Sequence, residues 1–343
     1  MPLNQNRRIY WAMEAAGFAP NGSTTFTPIH GLQSVSTTTT FNLTQVYEIG
    51  QISLYDNYET IPDVEVTLEK VIDGYPLIYH LATPTTAGTS LAARSNDQAI
   101  FGLSLFNDTV NSASGTPNAQ MTCSGMFVSS LSYTFPVEGE ARESVTLIGS
   151  NKVWSSGSFT FTGNIFTNDD APPSGVALRQ HFVWGSGTGC SLIPGGGLGG
   201  IPNIPSEGYN MPHTAAGGAI KYNASVQNIS VSCDLNRESL LELGRKNPFF
   251  RYANFPVEVT CEIEVLSSDG DLINALENSD NVSNKPIVLN LTNGLKLDLG
   301  TKNKLTNTTM GGADAGGGNM TCTYSYSNFN DLTVTDPNDP SSF

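Results

Sequence analysis

Two widely separated segments of the chain alternate strictly between apolar and polar side chains. In the longer segment the apolar positions are Val257, Val259, Cys261, Ile263 and Val265, and the polar positions are Glu258, Thr260, Glu262 and Glu264. In the shorter segment Val64, Val66 and Leu68 alternate with Glu65, Thr67 and Glu69. Successive side chains of a β-strand point to opposite faces of its sheet. Both segments are therefore predicted to be strands with one buried face and one acidic face.

The two segments belong to an internal duplication. Three pairs of phrases recur 194 residues apart (226 − 32, 240 − 46, 255 − 61): LQSVS and VQNIS, VYEIG and LLELG, Ile61-Pro62 and Phe255-Pro256. After the proline, the phrase VEVT recurs at an offset of 193 (257 − 64), which predicts one extra residue in the first copy. We interpret the chain as two copies of one folding unit.

Each copy is predicted to contain the same succession of elements. An alternating strand, LQSVSTTTTF or VQNISVSCDL, is followed by a short helical turn, an aromatic loop and the acid-faced strand. The helical turn is clearest in the second copy, with Asn236 as a candidate cap, Leu240, Leu241 and Leu243 as its apolar side, and Gly244 as its end. The first twenty residues are a candidate for another short helix.

Composition favours an all-β fold. Charged residues make up only 14 % of the chain, against about 25 % in an average soluble domain, whereas Gly, Pro, Ser, Thr and Asn are abundant. The segment from Gly185 to Gly218 is so rich in Gly and Pro that we predict a long loop or arm. We predict tandem β-sandwich or barrel-like units with short helices. Their expected boundaries are 1–170 for the first domain, 171–219 for the Gly/Pro-rich linker and 220–343 for the second domain.

The net charge excludes some classes of protein. Sixteen Lys and Arg against 31 Asp and Glu give a net charge of −15, which disfavours a protein that grips nucleic-acid phosphates or adheres to an anionic membrane. No signal peptide or membrane-spanning apolar run is visible, so folding in a cytoplasm is expected. The five cysteines are far apart, which favours buried thiols, with disulfides between subunits as the alternative.

Sequence signatures of catalysis are missing. The chain has no GxxxxGK[ST] or HExxH motif, and its four histidines are scattered. The acidic residues of the two alternating strands are candidates for a glycosidase pair, but a row of carboxylates on one strand favours a solvated or lumen-lining face instead. We expect no enzymatic activity, no catalytic residue, no metal ion and no cofactor.

Three longer phrases resemble tail tube proteins of tailed bacteriophages. They are QVYEIGQISLYDNYETIPDVEVTLEKVIDGYPLIYHLAT (45–83), SLSYTFPVEGEARESVTLIGSNKVW (which begins at residue 130 and is similar over 131–154) and VQNISVSCDLNRESLLELGRKNPFFRYANFPVEVTCEIEV (226–265). Together they make up roughly a third of the chain. The resemblance implies a β-sandwich or barrel-like tube fold whose subunits form stacked rings, with inner sheets joined around a channel for DNA. Many tube proteins hold one such unit and this chain holds two, so either three or six chains are expected to close a ring.

The resemblance also implies roles for particular residues. An acidic lining repels phosphates and lets DNA slide without specific binding. The lumen-lining candidates are Glu65, Glu69, Glu258, Glu262 and Glu264. The candidates for contacts between subunits are the basic and aromatic residues Arg245, Lys246, Phe249, Phe250 and Arg251, with Asp56 and Glu59 as acidic counterparts.

The expected partners are other copies of the chain and the sheath, terminator and baseplate proteins of a tail, with no membrane involved. The expected location is the tail of the virion, assembled in the host cytoplasm. Two other classes remain open: a capsid or head decoration protein, and a carbohydrate-binding β-sandwich. The second is disfavoured because Trp11, Trp154 and Trp184 occur in unrelated contexts.

Overall fold

The computed structural model describes residues 12–84, 88–107, 117–155, 157, 159–162, 173–182, 225–266, 287–312 and 319–339. Most of these residues lie in β-strands and very few in helices, so the predicted all-β class is confirmed. The segment from Gly185 to Gly218 lies outside the described residues, and its assignment as a loop or arm stays a prediction.

The strands before the Gly/Pro-rich segment are β1 (Ala12–Pro20), β2 (Thr25–Pro28), β3 (Leu32–Thr40), β4 (Leu43–Val46), β5 (Asp56–Glu59), β6 (Asp63–Val71), β7 (Ala99–Asn107), β8 (Ala119–Pro136), β9 (Arg142–Gly149), β10 (Asn151–Ser155) and β11 (Thr160–Phe161). The strands after it are β12 (Ser225–Asp234), β13 (Arg237–Leu240), β14 (Phe250–Ala253), β15 (Glu258–Leu266), β16 (Val288–Asn290), β17 (Lys296–Asp298), β18 (Lys304–Gly311), β19 (Thr321–Phe329) and β20 (Thr333–Thr335). Two helices, α1 (Ile78–Ala82) and α2 (Leu91–Arg94), separate β6 from β7. Within the described ranges, neither helix has the length or apolar character to cross a bilayer.

A single eight-stranded antiparallel sheet runs through both halves of the chain, in the order β3-β6-β9-β8-β12-β15-β19-β18. Strands β3, β6, β9 and β8 form what we call the first unit, and β12, β15, β19 and β18 the second unit. The two units are joined where β8 pairs with β12. The first strand of one unit thus meets the last strand of the other, a head-to-tail arrangement.

The duplication is visible in the pairing register. Directly opposite residues form the row Thr38, Glu65, Ile148, Phe127 across the first unit. The same row across the second unit is Ser232, Thr260, Ser327, Lys304. Both units also have a β-bulge between their first two strands, at Gln33 and at Gln227, and another between their last two strands. The units are therefore equivalent strand by strand.

The register corrects one detail of the sequence alignment. Thr39 pairs with Val64 and its equivalent Cys233 pairs with Val259, so the offset between the acid-faced strands is 195 (259 − 64) and not 193. A strand pattern with a period of two looks the same after a shift of two residues. The alternation therefore identified the correct faces and the wrong partner residues.

One face of the eight-stranded sheet is covered by further layers. The first unit is covered by a second sheet that contains β2, β1, β7 and the first half of β8, and the core also takes in Leu289, Leu297 and Val334 from the small sheet β16-β17-β20. Strand β8 passes from one layer to the other near Gly125, whose φ of 65° is one that glycine adopts without strain. The buried apolar residues on the covered face of both units form one continuous core.

The predicted helical turns are wrong. Arg237–Leu240 and Phe250–Ala253 form the two strands of a hairpin, and Leu43–Val46 and Asp56–Glu59 form its equivalent in the first unit. Leu240, Leu241 and Leu243 are exposed, so no apolar face is buried that would stabilise an amphipathic helix. We call β4–β5 the first hairpin and β13–β14 the second hairpin.

The candidate helix over the first twenty residues is also wrong where the structure describes it. Ala12–Pro20 is strand β1, which pairs along its full length with β7. The segment has four alanines, a glycine and no β-branched residue, and the pairing with β7 overrides its local preference.

Buried charges hold the C-terminal segment against the helical segment between β6 and β7. The buried guanidinium of Arg94 pairs with Asp339, and the backbone N–H of Leu77 donates to Asp336 (3.0 Å). Close by, burial raises the pKa of Glu143 to about 7, and burial together with Arg94 lowers the pKa of His80 to about 4. The chain end up to Asp339 is therefore part of the folded body.

Candidate functional site

In the part of the chain that the structure describes, one face of the eight-stranded sheet is not covered by a further layer, and it carries Glu65 and Glu258. We call it the polar face, because most of its side chains are hydroxyls and carboxylates. One row across it reads Ser34, Glu69, Ser144, Ser132, Ser232, Thr260 and Ser327. Residues directly opposite each other in an antiparallel pair point to the same face, so the strict alternation of each strand places all of them together. The opposite face carries the core.

The acidic candidates lie on this face, in two rows. Glu65 and Glu69 lie on β6, whereas Glu258, Glu262 and Glu264 lie on the equivalent strand β15. Strands β6 and β15 are four strands apart, which is about 19 Å at the usual spacing. Between the two rows the strands carry mainly hydroxyl and amide side chains, with Arg142 on β9 and Asp234 on β12 as charged residues. The face therefore has two acidic stripes separated by a mostly uncharged surface.

The stripes are not equally free of counter-charges. Glu69 accepts a hydrogen bond from Arg142 (2.5 Å), which also pairs with Glu140. Glu65, Glu258, Glu262 and Glu264 have no ion pair among the described residues. The second-unit stripe therefore has the greater negative charge, and Glu69 contributes less than its sequence position indicated.

The second hairpin lies against one end of the polar face of the first unit. The ring of Phe250 packs edge-on against Phe127 at a centroid distance of 5.4 Å. The guanidinium of Arg251 donates to Asp63 (2.8 Å) and to Ser150 (2.9 Å) and is only 5 % exposed. Arg237 stacks over the same Phe127 ring and donates to the carbonyl of Val128 (2.8 Å). These contacts join the two units within one chain.

The equivalent end of the second unit has no such cover among the described residues. Lys304 and Glu258, which correspond to Phe127 and Asp63, are exposed, and Phe329, which corresponds to Ser150, is 59 % exposed. The first hairpin is correspondingly bare, because all residues of β4 and β5 are exposed. Its strand residues Asp56 and Asn57 correspond to Phe250 and Arg251 of the second hairpin.

Two free strand edges complete this picture. Strand β3 pairs only with β6, and β18 pairs only with β19, within the described ranges. Inside the chain the equivalents of these two strands, β12 and β8, pair with each other. An unpaired edge exposes a row of backbone donors and acceptors that can pair with another chain.

Comparison with protein-family models and with curated protein sequences gives no match. Among the solved structures that are similar to part of this chain, two come from an anti-feeding prophage. One is the cryo-EM structure of an anti-feeding prophage baseplate, with 13 % identity over 43 % of this chain and 94 % of that chain, at a TM-score of 0.32. The other is the anti-feeding prophage cap, a tube-terminating cap, with 13 % identity over 41 % of this chain and 88 % of that chain, at a TM-score of 0.29. Scores of this size carry no statement about function.

The structure separates the candidates for contacts between subunits into three kinds. Arg251 and Phe250 are engaged inside the chain, as described above. Arg245 pairs with Glu242 (3.1 Å) and stacks over Phe249, with both side chains of the pair about half exposed. Lys246, Asp56 and Glu59 are exposed. The sequence missed Lys304 and Phe329, because neither lies in a repeated phrase and only the pairing register reveals their equivalents.

The described residues offer little chemistry besides these surfaces. No three His, Cys, Asp or Glu side chains in the described ranges lie close enough to hold a metal ion. Cys123, Cys233, Cys261 and Cys322 are buried, as predicted, and Cys190 lies outside the described ranges.

Proposed function

We propose that this chain is a structural subunit of a phage tail tube. Three chains pair head to tail, β18 of one chain with β3 of the next, and close a ring whose polar face lines a channel for DNA. Rings stack into the tube, which joins the other proteins of the tail. The chain acts by assembly and by its surface charge, without catalysis.

The observation that carries this proposal is the junction between β8 and β12. It shows, within one chain, how the last strand of one unit pairs with the first strand of another. The free strands β18 and β3 are the equivalents of these two strands, and the bare first hairpin is the equivalent of the hairpin that covers the internal junction. A second copy of the chain supplies both missing partners in one step.

The internal junction also gives the register of the proposed one. Ser132 pairs with Ser232 at the internal junction, so their equivalents Thr309 and Thr38 of the next chain are expected to lie opposite each other. In the same way Tyr133 pairs with Val231, so Met310 is expected opposite Thr37 of the next chain. Met310 is 55 % exposed, and the hydroxyl of Thr39 is buried without a hydrogen-bond partner in the described part of the chain. The proposed pairing buries the methionine and brings Thr39 opposite Thr308, within reach of a cross-strand hydrogen bond.

Strand direction and number are compatible with closure. Every neighbouring pair in the eight-stranded sheet is antiparallel, so its first and last strands run in opposite directions and a head-to-tail copy continues the same alternation. Three chains give 24 strands, which at about 4.8 Å each enclose a barrel at least about 37 Å wide between backbones. In a closed ring the outer side has more space than the inner side. The further layers that cover the core face of the sheet therefore lie outside the ring, and the polar face lines the inside.

The polar face is suited to conduct DNA without holding it. Counterions released at each phosphate contact drive DNA binding, and carboxylates provide no such contact. In the ring, the stripes on β6 and β15 recur every fourth strand and make six evenly spaced acidic rows. Their repulsion extends about 8 Å at physiological salt, which keeps a hydrated layer between wall and duplex.

The tips of the hairpins support stacking of rings. Ile49 of the first hairpin is 104 % exposed and its equivalent Leu243 of the second is 103 % exposed. Apolar side chains that protrude this far at six equivalent places of a ring are unfavourable in water and are covered when a second ring meets them. Stacking therefore buries an apolar contact at every unit.

Electron microscopy and native mass spectrometry of the purified chain test the proposal. We expect rings or tubes with an open channel, and a ring mass of about 110 kDa for three chains of 36.5 kDa each. Rings of six chains would contradict the closure proposed here. Particles that bind only to capsid shells, or monomers at every concentration and after addition of preformed tail ends, would contradict the tube.

A further inference from the structure

The hairpin contact that covers the internal junction has a counterpart of different chemistry at the proposed junction between chains. Phe250 of the second hairpin contacts Phe127 of the first unit (5.4 Å between centroids). By the pairing registers, Asp56 is the equivalent of Phe250 and Lys304 the equivalent of Phe127. An aromatic pair inside the chain therefore corresponds to an acid and a base on two different chains.

We propose that Lys304 forms an ion pair with Asp56 of the next chain in the ring. The proposal rests on the proposed tube function, and it names the contact that matches one chain to the next. Beside it, Asn57 of the next chain is expected to lie next to Glu258. Asn57 is the equivalent of Arg251 and Glu258 is the equivalent of Asp63, and Arg251 and Asp63 form an ion pair inside the chain. The amide donates to the carboxylate, so two neighbouring positions are complementary in the same register.

The side chains concerned are available for this contact. Asp56, Asn57, Glu258 and Lys304 are all exposed. In the described part of the chain, neither Asp56 nor Lys304 is in an ion pair. Two isolated surface charges carry no information about a partner. Here, however, each charge lies at a position whose equivalent makes a buried contact, and the two are of opposite sign.

The contact gives the junction between chains a property that the internal junction lacks. The internal junction is held by Phe250, Phe127 and a buried arginine, whereas the junction between chains depends on exposed charges and on an edge rich in threonine. Exposed ion pairs weaken as salt screens them. Ring formation is therefore expected to weaken with ionic strength more than the internal junction does.

A charge exchange tests the ion pair. The variants are Lys304→Glu, Asp56→Lys and the double variant, and the measurement is the protein concentration at which half of the chains sediment as rings or tubes, at about 50 mM and 200 mM salt. We expect each single variant to raise this concentration about tenfold at low salt and less at high salt. The double variant restores it to within about threefold of wild type, because the pair is re-formed with reversed signs.

Lys302→Glu is the matched control, because it makes the same charge change two residues away at an exposed position outside the proposed contact. Thermal unfolding of all variants checks that each chain folds. If wild type assembles and Lys304→Glu assembles no worse than Lys302→Glu, or if the double variant is no better than the singles, the ion pair is overturned and the tube stands. If wild type itself forms no rings, the tube is overturned and the ion pair with it.

Discussion

Lysine in place of Thr37 is expected to abolish ring formation while the chain still folds. Thr37 lies on the core side of the free edge strand β3, and its equivalent Val231 is fully buried at the internal junction. In the isolated chain a lysine at this half-buried site reaches water. In the ring it is covered by Met310 of the neighbour, and an unpaired buried charge costs about 3–5 kcal/mol at each of three junctions. Sedimentation of purified variant and wild-type protein measures the loss.

Thr38→Lys is the matched control for this experiment. Thr38 lies next to Thr37 on the same edge strand but on the polar face, where the added ammonium stays in the channel near Glu65. We expect this variant to assemble at close to the wild-type concentration. Rings from Thr37→Lys as abundant as those from Thr38→Lys would show that β3 is not buried between chains.

Reversal of the acidic stripe on the second unit is expected to turn a passage for DNA into a binding site. The variant replaces Glu262 and Glu264 with lysine, both on the polar face and neither in an ion pair within the described residues, and it keeps Glu258 because the proposed junction between chains uses it. Each change moves the charge by two, and the new ammonium groups displace counterions from phosphates. Tubes of this variant retain DNA at about 50 mM salt and lose at least about a thousandfold in affinity by 200 mM, whereas wild-type tubes retain none. Particles that carry the variant eject their genome more slowly.

The corresponding variant with glutamine at positions 262 and 264 separates attraction from lost repulsion. Glutamine removes the negative charges without adding positive ones, so its tubes are expected to pass DNA almost as wild type does. Co-sedimentation of labelled duplex with the three kinds of tube compares them directly. Equal DNA retention by lysine and wild-type tubes would place this stripe outside the channel.

The alternating strands were predictable because a half-buried strand carries its own signature. Val259, Cys261 and Ile263 are fully buried and the residues between them are not, as the period of two requires. The repeated phrases likewise identified the equivalent segments, although these are hairpins and not the predicted helical turns; their strands pair at a constant offset of 194 residues (237 − 43 and 253 − 59). Both signals can be read directly from the residue pattern, and the structure preserves both.

The rest depended on contacts between distant residues, which a single sequence does not reveal. Leu240, Leu241 and Leu243 have spacing that suits a helix, but pairing with Phe250–Ala253 made the segment a hairpin. The sequence indicated that Arg251 is a surface cation, but its guanidinium is buried and donates a hydrogen bond to Asp63, 188 residues away in the chain. The role proposed for Lys304 follows only from the pairing register, which makes this residue the equivalent of Phe127.

Head-to-tail closure of the eight-stranded sheet is tested most directly by a pair of cysteines, Thr38→Cys with Thr309→Cys. Opposite side chains on one face of antiparallel strands lie about 4.5–5.5 Å apart at Cβ, close enough for a disulfide with small adjustment. The control pair is Thr39→Cys with Thr309→Cys, whose side chains point to opposite faces of the sheet. After oxidation of assembled protein, we expect denaturing gels to show covalent chains of two and three copies, ending at three, for the first pair only. Single chains alone, the same ladder from the control pair, or a ladder that continues to six would contradict the closed ring of three.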